Sequence, residues 1–135
     1  MFDSNFLMKD SGLVVESAAG TVGGTAKVAK VGAGIVEGKL IVDVTAIEIE
    51  TSNEKFAIKL QGSVDNNFNA GLEDLVILEL GAASALGGDA DSEVGRYIVP
   101  FRNEKNATVY PYLRLYTDVT GGVTTGINFS AYLAK

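Results

Sequence analysis

The residues of this chain that could do chemistry are carboxylates and hydroxyls, because histidine and cysteine are both absent. That removes the Ser-His-Asp triad, the thiol nucleophile, the zinc finger and the disulfide framework. Asp89, Asp91 and Glu93 set oxygen ligands at alternate positions, as a calcium loop does. The glycine and distal glutamate that shape an EF-hand loop are missing there, and a solvated acidic loop is the simpler reading. Glu48 and Glu50 lie on one face of an expected strand, a spacing that would suit paired-carboxylate glycoside chemistry. Nothing marks a sugar cleft beside them, and tryptophan is absent. The stretch from Gly32 to Gly38 superficially resembles a dinucleotide loop. Its third glycine would have to stand where Glu37 stands, and a strand rather than a helix follows. No catalytic, cofactor or metal residue is therefore assigned, and no enzyme is expected.

Two sequons, Asn106-Ala107-Thr108 and Asn128-Phe129-Ser130, read as chance matches. The opening residues Met1 to Asn5 carry no basic region of the kind that begins a secretory signal.

What remains is contact chemistry. Tyr112, Arg114, Tyr116 and Tyr132 combine large area with polar tips, the composition favoured at interface hot spots. Outward tyrosines also simply suit strands. Phe2, Phe6 and Leu7 place large apolar side chains in a terminal segment, which points to docking on the domain itself or on a neighbour.

The elements that carry these residues alternate with a period of two. Phe56, Ile58, Leu60 and Val64 interleave with Lys55, Lys59, Gln61 and Ser63, giving a strand with one apolar and one wet face. Leu40, Val42, Val44 and Ala46 alternate likewise, but the parity then flips to Ile47 and Ile49. A bulge or bend near Ala46 is expected there. With the polar turn Thr51-Ser52-Asn53-Glu54, these two strands read as a long hairpin. Asp74 to Leu80 reads as a short strand buried on both faces. Arg96 to Phe101 reads as a strand that Pro100 marks as an edge or an end. Tyr110 to Val119 and Ile127 to Leu133 alternate cleanly around Gly121-Gly122, and a shorter strand is expected at Leu13 to Ser17. A helix over 26–31 has weak support. Residues 1–11 read as an extended N-terminal arm, and 12–135 as a single domain with long Gly/Ala-rich loops at 18–38 and 81–95. About seven to eight strands with Gly- or Asn-rich turns make an all-β, antiparallel β-sandwich or barrel.

Composition agrees. The chain has 135 residues, 47% of them hydrophobic and 21% charged, which suits one globular domain rather than a disordered one. Its 17 acidic against 11 basic residues argue against a nucleic-acid partner, whose phosphates require Lys and Arg. No apolar run approaches the roughly 18 residues of a membrane helix, so no membrane partner is expected.

Four segments carry a family resemblance. They are Phe6-Leu7-Met8-Lys9-Asp10 with the Ala/Ser-rich stretch to Gly20; Phe56 to Ser63 leading to Asp65-Asn66-Asn67-Phe68; Gly95-Arg96-Tyr97 with Val99-Pro100-Phe101-Arg102-Asn103; and Tyr112-Leu113-Arg114-Leu115-Tyr116, Val119-Thr120-Gly121 and Ala131-Tyr132-Leu133. In this order they resemble the capsid cement, or decoration, proteins of short-tailed bacteriophages. Residues 21–38 have no counterpart in the resemblance. It implies a jelly-roll sandwich forming homo-oligomers, dimers or trimers, on the exterior of the virion capsid. There it would bridge neighbouring subunits of the major capsid protein and stabilise the shell without touching the genome. Phe2, Phe6, Leu7, Tyr112, Arg114, Tyr116 and Tyr132 would then be the capsid or subunit interface. The alternative is a carbohydrate-binding β-sandwich module, itself compatible with a place on a virion.

Overall fold

The structure, a computed structural model, describes residues 6–134. In chain order the strands are β1 (Phe6–Val14), β2 (Ala18–Ala19), β3 (Thr21–Val22), β4 (Thr25–Ala26), β5 (Ala29–Lys30), β6 (Glu37–Ile47), β7 (Lys55–Ser63), β8 (Glu73–Gly81), β9 (Gly95–Arg102), β10 (Glu104–Lys105), β11 (Thr108–Val109), β12 (Tyr112–Thr120) and β13 (Ile127–Ala134). A single helical turn, α1 (Ala83–Leu86), follows β8.

Two antiparallel sheets form a sandwich. The first has the order β1-β13-β6-β9; the second runs β2-β12-β7-β8, with β5 also paired on β12. The period-two alternation explains the core. Leu40, Val42, Val44, Phe129, Ala131 and Leu133 point in from the first sheet, and Phe56, Ile58, Leu60, Leu113 and Leu115 meet them from the second, in one continuous cluster.

Several expectations are corrected. β6 and β7 do not form a hairpin: β6 pairs with β13 and β9, whereas β7 pairs with β12 and β8. The polar turn between them is a crossover from one sheet to the other. Both strands face the same core from opposite sides, so their alternation is what a hairpin would also show. The parity flip in β6 is a bulge. Asn128 pairs with Ala46 and Phe129 with Val44, leaving Thr45 as the extra residue, and the strand ends in its own sheet. β8 is an edge strand rather than one buried on both faces, and its Ile77 is 53% exposed. Residues 26–31 are not helical; they carry the end of β4 and all of β5. Val64 falls just past the end of β7 and is exposed.

β1 runs through residue 11, so Phe6, Leu7 and Lys9, expected as part of an arm, pair with β13 at the sheet edge. Met8 is fully buried and Phe6 packs against the core. β9 is the other edge of this sheet, where Pro100 removes no ladder bond that a neighbour needs.

Candidate functional site

The carboxylates that could have formed a catalytic pair are built into one end of the sandwich. β6 ends at Ile47, so Glu48 and Glu50 lie in the crossover rather than on a strand. Glu48 is buried and accepts backbone N–H bonds from Thr124 (2.9 Å), Thr125 (2.6 Å) and Gly126 (2.7 Å). The hydroxyls of Thr124 and Thr125 also donate to it. The Gly126 N–H is the largest influence, and together these donors outweigh burial and lower the Glu48 pKa from 4.5 to about 2. A carboxylate so surrounded is an ionised brace between the two crossovers, with no proton to give near neutral pH. Glu50 is exposed beside it.

Glu54 is a second brace. Its side chain is fully buried, and Oε2 accepts the N–H groups of Glu50 and Thr51, both at 2.8 Å. Burial acts to raise its pKa, but the donors, led by Thr51, prevail and lower it. Gly126 and Gly121 make the same end compact. Each has positive φ, and a Cβ would strike the carbonyl oxygen of Val14 at the first and of Asn53 at the second.

Asn103 pins the opposite end. It is fully buried, accepts the Val36 N–H at 2.7 Å, and donates to the carbonyls of Gly34 and Tyr110, both at 3.1 Å. The glycine-rich stretch 32–38 is thereby a fixed connection into β6. The expected acidic loop is also structural in part, since Asp91 accepts the N–H of Ala83, the first residue of α1. Among the described residues, no group of three or more acidic side chains has the proximity to hold a metal ion. No helix among them is long and apolar enough to cross a membrane.

The contact candidates separate onto two outer faces. Tyr112, Arg114 and Tyr116 come together on β12, outside the second sheet. Arg114 Nε donates to Gln61 at 2.9 Å, and its guanidinium lies 4.6 Å from the Phe68 ring centre and 5.1 Å from that of Tyr116. Phe68 comes from the β7–β8 loop, which folds back over the arginine. Gln61 in turn donates to Asp74 at 2.9 Å. Beyond Tyr116, Lys59 pairs with Asp118 at 2.6 Å and with Asp74 at 3.4 Å, and Lys55 pairs with Glu79 at 2.7 Å. These ion pairs ring a shallow depression of about 310 Å³ over the small side chain of Ala57.

Tyr132 and Leu7 lie instead on the first sheet, as register partners on its outer face. Phe6 points the other way, with the Lys27 ammonium 4.8 Å from its ring centre. Phe2 falls outside the described residues. Ile41 and Ile98, absent from the sequence-based candidates, continue the line from Tyr132 across β6 and β9. Only strand pairing makes them neighbours, and sequence spacing carries no such signal. Lys9 was also not foreseen. Its ammonium is buried among the carbonyls of Asp10, Gly12 and Phe129, 4.3 Å from the Phe129 ring centre, where the bulges of β1 curl the chain around it. Desolvation lowers its pKa, with Asp10 opposing.

No protein-family model matches the chain, and no curated protein is significantly similar to it.

Proposed function

We propose that the chain is a structural contact protein of the capsid decoration type. It would sit on the outside of a phage head, bridge neighbouring major capsid protein subunits and stabilise the shell. It is a binder rather than an enzyme in this reading. The observation that carries it is the division of labour among its polar and apolar groups. The buried carboxylates brace the crossovers, while aromatic and aliphatic side chains stand on open faces of a rigid sandwich.

The jelly-roll form of the sandwich belongs to this proposal, and the pairing supports it. Counting the broken β2–β5 segment as one strand, β1 pairs with β13, β2/β5 with β12, β6 with β9, and β7 with β8. Those are successive rungs of one long hairpin rolled into two sheets, the arrangement of a double Greek key. Stabilisation would follow from mass action: a ligand that binds only the assembled shell lowers the free energy of that state, and many copies multiply a modest effect.

The test is co-sedimentation with purified empty phage heads. Saturable binding at a fixed ratio to the major capsid protein is the expected outcome. Free protein left in the supernatant at every concentration would refute the reading.

A further inference from the structure

An apolar row crosses the entire outer face of the first sheet. Leu7, Tyr132, Ile41 and Ile98 are successive register partners on β1, β13, β6 and β9. Leu7 is 37% exposed and Ile98 55% exposed, while Ile41 is covered by its neighbours. On one side of the row, Arg96 makes a two-point bond to Asp43, at 2.7 and 3.0 Å, and stands 6.0 Å from the Tyr132 ring centre. On the other side stand Pro100 and Lys39, register partners of one another. Lys39 is exposed and has no ion-pair partner among the described residues.

We propose that this face joins two copies of the chain, packed sheet to sheet about a two-fold axis that runs along the apolar row. The charge pattern selects a second copy as the occupant. Lys39, Ile41 and Asp43 alternate along β6 and so share the outer face, with the cation two residues before the apolar midpoint and the anion two residues after it. An axis along the row reverses the strand direction of the partner. It therefore brings each Lys39 over the other copy's Asp43, twice by symmetry, while the row meets itself. The face supplies its own complement.

Its centre of Tyr132 and Arg96 among aliphatic residues has the composition of an interface core. Four strands at about 4.8 Å spacing and roughly eight residues of strand length give a face of about 500 Å² per copy. That lies at the low end of specific interfaces and fits a dimer of micromolar affinity. A homo-oligomer is already what the resemblance implies; the inference adds the face, the two-fold axis and the pairing of Lys39 with Asp43, and because it concerns the purified protein alone it can fail while shell binding stands.

Analytical ultracentrifugation of the full chain, up to about 100 µM and so well above micromolar affinity, is the test. The wild type should reach a dimer. Ile98→Lys and, on the far strand, Leu7→Lys should stay monomeric while keeping the wild-type circular dichroism. Ile77→Lys, an equally exposed isoleucine on the opposite sheet, should dimerise as the wild type does. Lys39→Glu should weaken the dimer about tenfold or more by facing Asp43 with a like charge. A wild type that remains monomeric would overturn the proposal, as would dissociation by Ile77→Lys with Ile98→Lys unaffected. An unchanged affinity in Lys39→Glu would overturn the two-fold arrangement.

Discussion

The two outer faces of the sandwich are built from the same alternation and end up chemically opposite. Outside the second sheet nearly every long side chain has an intramolecular partner: Arg114 with Gln61, Phe68 and Tyr116, Lys59 with Asp118 and Asp74, Lys55 with Glu79. Outside the first sheet the ion pairs Asp43–Arg96 and Glu37–Arg102 border a row of aliphatic and aromatic groups whose ends, Leu7 and Ile98, stay exposed. A face that satisfies itself contributes to the stability of one molecule. A face left incomplete contributes only when something else completes it. Exposed residues of the same type therefore differ in meaning: Ile77 sits between paired charges, whereas Ile98 ends a continuous apolar line.

Four perturbations bear on this contrast, in falling order of expected effect on the isolated molecule. Gly126→Ala should be the most damaging, because it forces a Cβ into the Val14 carbonyl at positive φ, at a cost of about 2–4 kcal/mol. It removes support shared by both sheets, so urea unfolding and dimerisation should suffer together.

Next comes Glu48. Its folded pKa is depressed to about 2, so its stabilisation is fully present above pH 4.5 and is lost as pH falls toward 2. Asp43 and Glu54 are depressed in the same direction, the first by its bond to Arg96 and the second by backbone donors that overcome burial. Melting temperature should therefore fall over that acid range. Glu48→Gln should melt lower at pH 7 and show a shallower acid limb.

Arg114→Ala should cost about 1–2 kcal/mol in urea unfolding, through the lost ring contacts and a Gln61 Oε1 left without its donor. It should leave dimer affinity unchanged. Ile98→Lys should alter monomer stability by less than about 0.5 kcal/mol, because that side chain stands more than half exposed at the sheet edge. If Arg114→Ala proved neutral and Ile98→Lys strongly destabilising, the contrast between the faces would be reversed.

Strand periodicity was legible in the sequence almost residue by residue. Leu113, Leu115 and Thr117 point inward as their spacing requires, and so do Ile127, Phe129, Ala131 and Leu133. The break in β6 was visible as a parity flip, with the extra residue at Thr45, one place before the position expected. Pairing was not legible. Alternation reports which face of a strand is apolar, but not which strand lies beside it, so a crossover between sheets looks like a hairpin. The same gap hid the contact row: Leu7 and Tyr132 drew attention by residue type, but Ile41 and Ile98 join them only through register. The bracing roles of Glu48 and Asn103 were hidden for a related reason. Most of their partners are backbone groups 67 to 78 residues away, and a backbone group leaves no mark in a sequence.

Hydroxyl-radical footprinting of the side chains, in dilute and in concentrated solutions of the purified protein, compares the two faces directly. Protection on concentration should appear at Leu7, Tyr132 and Ile98, with Ile77, Tyr112 and Tyr116 labelled equally at both concentrations. Protection confined to Ile77, Tyr112 and Tyr116, or no change on either face, would contradict the assignment of the first sheet as the contact surface.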